Sequence, residues 1–229
     1  MFRLQEPLAD REQQLLANLR QWMAGQSALC VAYSGGVDST LVAAMAYEAH
    51  GDAALAVTGV SPALAPHLLR EARDQASWIG IPHRECATAE LNDPDYSSNP
   101  LDRCFACKRE LHQHLQPIAA AAGDALVIDG VNLDDLGDHR PGIEAARQAG
   151  VRSPLAELSI DKAAIRSLSR ALGFPLVGQT GAALLGFPFP LWRKHQRRAV
   201  EAGWSGRSLV DRQGLQHRSR AIPRAGCTD

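Results

Sequence analysis

Ser34-Gly35-Gly36-Val37-Asp38-Ser39-Thr40 combines two glycines, three hydroxyls and one carboxylate within seven residues. Glycines reach backbone angles closed to other residues and let a ligand approach the main chain. The run follows the apolar stretch Ala28–Ala32 and precedes the helical stretch Leu41–Ala49. A strand, a Gly-Gly turn and a helix start present unpaired N–H groups and the positive end of a helix dipole. Ser34, Ser39 and Thr40 add hydroxyl donors. The chemistry that suits such a cradle is polyphosphate binding. Asp38 is out of place beside an anion unless a divalent cation lies between them, which points to Mg²⁺ at Asp38. The run lacks the lysine of the Gly-x-x-x-x-Gly-Lys-Ser/Thr loop. A glycine pair alone would equally suit an unliganded turn; the full run in its strand–helix context favours the cradle.

The surrounding elements must aim this loop. Leu15, Leu16, Leu19, Trp22 and Met23 recur at helical spacing over 9–23. Apolar runs at 28–33, 53–60 and 126–128 read as buried strands, and 83–86 as a short one. Helices are expected at 64–78, 103–121, 143–148 and 161–172, the last capped by Ser159 or Asp161 and stopped by Gly173 and Pro175. Strands alternating with helices predict an α/β fold, a parallel sheet with helices on both faces. Ligands then lie at the carboxyl ends of the strands, where the loops 34–40 and 129–140 fall.

The second loop is rich in acids: Asp129, Asp134, Asp135 and Asp138, with Arg140 and Gly130. A capped, solvated loop is the bland account. At the mouth of a phosphate site, contacts to Mg²⁺, ribose or substrate explain the acids better, and Arg140 suits a phosphate. Asn99-Pro100-Leu101-Asp102-Arg103-Cys104-Phe105-Ala106-Cys107-Lys108 opens the 103–121 helix. A single Cys-x-x-Cys is weak support for a metal at Cys104 and Cys107, even with Cys86 as a third thiolate. Core packing accounts for the pair equally well. Arg103 and Lys108 either line an anionic substrate site or are simply solvated.

The 229 residues suit one α/β domain with an appendage. A net charge of −1 argues against a general nucleic-acid surface. No long apolar segment predicts a membrane span, and the polar start is unlike a secretory signal. Five cysteines do not make a disulfide scaffold, so a cytoplasmic, reducing setting is expected. The charge is uneven, however. Residues 178–229 hold nine Lys or Arg and three acids, against fifteen and twenty-two before them.

Together these motifs resemble the ATP pyrophosphatases of the PP-loop (adenine nucleotide alpha hydrolase-like) superfamily. Within it they are most similar to the LarE family, sacrificial sulfur transferases that make the nickel-pincer nucleotide cofactor. The similarity rests on 33–40, Ala56-Val57-Thr58-Gly59-Val60-Ser61-Pro62, the 99–108 block, Asp129–Gly142 and Gly150-Val151-Arg152-Ser153-Pro154-Leu155, and spans about residues 10–176. It implies ATP contacts from Ser34–Thr40, Ser61 and Gly130. It also implies contacts from Arg103, Lys108, Asp138 and Arg140 to a pyridinium biscarboxylate mononucleotide, and a homo-oligomer. The implied reaction adenylates a substrate carboxylate; a protein cysteine then attacks, AMP leaves, and the cysteine ends as dehydroalanine. Two alternatives are an amide-forming or tRNA-thiolating ATP pyrophosphatase, and a non-catalytic nucleotide-binding remnant.

After Pro175 the similarity breaks. The family continues with a Trp-Asp-Lys-Pro segment and then its sulfur-donor cysteine in Cys-Leu-Ala-Ser-Arg-Phe-Pro. This chain has Val177-Gly178-Gln179-Thr180 and, later, Leu184–Leu191. The former can be coded GTG-GGA-CAA-ACC, which read one base later starts Trp-Asp-Lys; 184–191 can be coded so that the same shift gives the cysteine segment. The sequence therefore divides into a 1–176 PP-loop domain and an Arg-rich 177–229 tail expected to be out of frame and poorly packed. On this reading no catalytic cysteine remains, and Cys227 is not the donor.

Overall fold

The computed structural model describes residues 2–62, 64–88, 103–137 and 141–175. The expected disorder of the tail, and Asp138 and Arg140, lie outside the described residues. The elements in order are α1 (Asp10–Ala24), β1 (Leu29–Ala32), α2 (Val37–His50), β2 (Ala54–Val60), α3 (Pro66–Ile79), β3 (His83–Ala87), α4 (Arg103–Ala121), β4 (Leu126–Ile128), α5 (Pro141–Gln148), α6 (Pro154–Glu157) and α7 (Lys162–Ala171). The expected elements are all present. The main differences are that α2 begins four residues earlier than its apolar stretch, at Val37, and that α6 has no counterpart among the expected helices. Four residues opened by a proline carry too little periodicity to be read as a helix.

The four strands form one parallel sheet in the order β3-β2-β1-β4. Alternation along each strand feeds two cores, as a sheet covered on both faces requires. Leu29, Val31, Ala54 and Ala56 face one cluster with Leu16, Leu19, Leu41, Met45, Ile165 and Leu168. Cys30, Leu55 and Val57 face the other, with Leu115, Ala119 and Ala146. The first layer is thus α1, α2, α3 and α7; the second is α4 and α5. Val37 and Ser39–Ala46 of α2 are all buried, which fixes the loop before it rigidly against the sheet.

Strand order reverses between β1, which leads outward to β2 and β3, and β4 on its other side. Such a switch point opens a crevice at the carboxyl ends of the strands. The loops after β1 and β4 flank it.

Asp161 is the cap of α7: Oδ1 accepts the Ala164 N–H at 2.7 Å, and Oδ2 accepts from Arg11 at 2.7 Å. These contacts hold the Asp161 carboxyl below the usual aspartate range, the Ala164 bond first. Asp161→Ala is expected to cost about 1 kcal/mol in urea unfolding at neutral pH, the exposed ion pair adding little. Because the folded pKa is depressed, this contribution is present above the ordinary aspartate range and is lost as pH falls through the folded value. Wild type and variant should therefore converge in acid; a difference that persisted there would contradict the capping role.

Candidate functional site

At Tyr33, whose N–H still bonds Val57 O at 2.8 Å, the chain leaves the sheet. Gly35 takes φ 76°, and a Cβ there would lie 2.6 Å from Ala72 Cα of α3. Gly36 is the N-cap of α2, with extended angles and no side-chain cap bond. The helix therefore starts at Val37 without a capping side chain, and Ser34 and Gly36 are exposed beside it. The loop holds itself in shape. Ser39 Oγ accepts the Ser34 N–H at 3.3 Å, donates to Gly36 O at 3.1 Å, and lies 3.1 Å from Ser34 Oγ. Thr40 N–H closes the first helical turn onto Gly36 O at 2.8 Å. The uncapped helix start, its dipole and the exposed Ser34 hydroxyl make a corner suited to an anion, while the Ser39 and Thr40 hydroxyls are buried beneath it.

Asp38 stands in the first turn of α2. Its Oδ2 meets Lys162 Nζ at 3.3 Å, while its Oδ1 is buried with no hydrogen-bond partner. Burial raises the Asp38 pKa; Lys162 and Arg166 oppose the rise and Asp135 adds to it. Sequence reading missed Lys162, which lies 124 positions away. One signal was available: Lys162 is the first residue of α7, where a cation opposes the helix dipole. A lysine placed there against local preference has a partner elsewhere.

Because the folded pKa of Asp38 is raised, its proton is held more tightly than in the unfolded chain. That effect favours the fold at low pH and disappears as pH rises from the ordinary aspartate range through the folded value. A cation at Oδ1 needs the ionised form. Affinity for Mg-ATP is therefore expected to fall as pH drops through the Asp38 value. Lys162→Met should move this acid limb to higher pH, since it removes the charge that holds the carboxyl down. Titration calorimetry across pH checks this; an unmoved limb would rule out the coupling.

The loop after β4 packs directly on the cradle. A Cβ at Gly130 would lie 2.8 Å from Ser39 N and 3.1 Å from Asp38 C. Asp129 Oδ1 accepts from the Val131 N–H at 3.1 Å and from Ser153 Oγ at 2.7 Å. Asn132 Nδ2 donates to Asp135 Oδ2 at 2.8 Å, and Asp134 Oδ2 accepts the Lys162 N–H at 2.8 Å. Asp129, Asp134 and Asp135 thus fasten the loop and dock α7, a structural role the acid-rich sequence did not separate from ligand binding. Among the described residues no group of three His, Cys, Asp or Glu is arranged to hold a metal.

Ser61 follows β2 at the same edge, half-buried. Lys108 is half-buried on α4. The side chains of Arg103, Cys104 and Cys107 lie outside the described residues; the backbone places all three in the first turns of α4. Cys86 is a half-buried free thiol. Among the described residues no helix is long and apolar enough to cross a membrane.

No family model matches the chain. It is 51% identical over 175 residues to an uncharacterized protein of Synechocystis. It is 32% identical over 184 residues to the pyridinium-3,5-bisthiocarboxylic acid mononucleotide synthase of Lactiplantibacillus plantarum. These matches cover 76% and 80% of this chain, and the chain spans 65% of the length of each relative. In fold it resembles the NH3-dependent NAD synthetase of Campylobacter jejuni, with TM-score 0.61, 15% identity and coverage of 83% and 87% of the two chains. It also resembles the NMN synthetase of Francisella tularensis, with TM-score 0.60, 16% identity and coverage of 88% and 90%. With a parallel sheet, a loop at its switch point and these structural neighbours, the chain has the PP-loop, adenine nucleotide alpha hydrolase-like fold, and over 80% of its length it is similar to the pyridinium-3,5-bisthiocarboxylic acid mononucleotide synthase.

Proposed function

We infer that this chain binds ATP and adenylates a carboxylate of a pyridinium biscarboxylate mononucleotide, as the first half of a sulfur-transfer reaction. The observation that carries the reading is the uncapped start of α2, with Asp38 and Lys162 beside it, in a chain 32% identical to a pyridinium mononucleotide synthase. A glutamine-dependent NAD+ synthetase of Acinetobacter baumannii with the same fold was solved with ADP, at TM-score 0.59 and 16% identity; the match covers 94% of this chain and 49% of that one.

In this reading Ser34–Thr40 receive the polyphosphate on N–H and hydroxyl donors, and Ser61 and Gly130 line the nucleotide site. Lys162 turns from Asp38 to the phosphates as they arrive. Asp38 Oδ1, a buried hard oxygen without a partner, fits Mg²⁺, which binds through one or two carboxylates plus substrate phosphates. Bound there, Mg²⁺ would supply charge neutralisation of the phosphates. Arg103, Lys108, Asp138 and Arg140 contact the mononucleotide. The substrate carboxylate oxygen attacks the α-phosphorus, its bond to the bridging oxygen breaks, and pyrophosphate leaves. In the family a cysteine thiolate then displaces AMP, and the Cβ–S bond breaks by elimination to leave dehydroalanine. Thiolate is the nucleophile in that step, and the 177–229 segment carries no cysteine where the family has one. Transfer is therefore impaired in this chain.

Incubation with ATP, Mg²⁺ and pyridinium-3,5-biscarboxylic acid mononucleotide tests the reading. The expected result is substrate-dependent pyrophosphate release, an unchanged protein mass and no sulfur in the product. Absence of substrate-dependent pyrophosphate would overturn the adenylation step. A protein lighter by one H₂S, with dehydroalanine at Cys104, Cys107 or Cys227, would overturn the missing-donor account.

A further inference from the structure

His112, midway along α4, is only 2% exposed, yet neither ring nitrogen has a hydrogen-bond partner. Buried polar atoms without partners are rare and costly, so such a ring calls for something to bind. It lines a cleft of about 240 Å³ between α4 and α5. That is several times the roughly 30 Å³ a water occupies in the liquid, so one bridging water does not fill it. The polar wall is Arg109, His112, Gln113, Gln116 and Gln148, over a floor of Ala145 and Ala149 methyls.

The donor balance selects the ligand. None of these lining residues is acidic. Glu144 stands next to the cleft but is engaged by the Gln148 amide at 3.1 Å, and the Gln116 amide is spent on Ala149 O at 2.8 Å. Arg109 has a partner within the protein, but a guanidinium carries five N–H donors. Burial first, and then the charge of Lys108, push His112 down to about 4, with Asp129 opposing. The ring is therefore neutral at physiological pH and offers one N–H beside two cationic side chains. We propose that the α4–α5 cleft is a binding site for a small oxyanion, phosphate or carboxylate, held by Arg109, His112 and Gln113. No residue of the phosphate loop lines the cleft; Lys108, whose charge acts on His112, is also among the residues proposed to contact the mononucleotide.

NMR of the His112 ring in the full chain tests it, with inorganic phosphate and acetate titrated separately. The expected result is a saturable shift with at least one anion and a rise of the His112 pKa by about one unit or more, as an adjacent anion produces. A response to phosphate alone assigns a phosphate-bearing ligand, and to acetate alone a carboxylate. The shift should persist in Asp38→Ala, which disables the cradle, and the affinity should fall about tenfold in Arg109→Gln, the loss of one charge-assisted contact. No saturable shift with either anion would overturn the proposal. So would a shift that vanishes in Asp38→Ala or is untouched by Arg109→Gln.

Discussion

Asp38→Ala is expected to weaken Mg-ATP binding about a hundredfold while leaving binding of metal-free ATP unchanged or slightly stronger. The split follows from what the carboxylate does in each case. With the cation, Asp38 Oδ1 contributes a hard oxygen that has no hydrogen-bond partner in the protein. Without it, the same carboxylate sits in the first turn of α2 where an anion must approach, and repels it. Lys162 then loses its partner at 3.3 Å and is left to the phosphates alone. A hundredfold corresponds to about 2.7 kcal/mol, within the roughly 2–5 kcal/mol for truncating one partner of a buried, hydrogen-bonded charge pair. Calorimetry with and without Mg²⁺ measures both arms. Equal Mg-ATP affinity in wild type and variant would dismiss Asp38 as a metal ligand and, with it, the cradle as a nucleotide site.

Gly35→Ala should unfold the loop's support as well as its chemistry. The residue has φ 76°, and its Cβ would lie 2.6 Å from the Cα and 2.9 Å from the Cβ of Ala72. Left-handed strain costs about 1–2 kcal/mol, and forcing α3 away from the sheet about 1–3 kcal/mol. Ala72 is fully buried, so α3 cannot yield locally. The expected loss is about 2–5 kcal/mol, a fall in Tm on the order of 10 °C for a chain of this size. Gly36→Ala is the control. Gly36 has φ −71°, and its Cβ would meet only Ser34 Oγ at an ordinary 3.4 Å. Its stability should stay within about 0.5 kcal/mol of wild type. Similar Tm losses in both variants would mean that the α3 contact is not what requires Gly35.

What the sequence determined by itself is local. The strand–turn–helix around 34–40, the parallel α/β alternation and the Asp161 cap depend on residues a few positions apart, where backbone angles and periodicity decide the outcome. The relation of the two loops was legible too, because parallel strands put both on one edge. Tertiary structure alone decided which charges meet. Lys162 reaches Asp38 because α7 packs against α2 through Ile165 and Leu168, an apolar contact that carries no trace of the ion pair at its end. The acids after β4 looked alike in sequence, and only their partners separate Asp134, which docks α7, from Asp135, which ties Asn132. His112 likewise reads as an ordinary helix residue; its buried, unpartnered ring follows from packing α4 against β4 and α5. Hydrophobic burial is non-directional and legible as a pattern, whereas polar contacts need two groups within about 3 Å, a distance set by the whole fold.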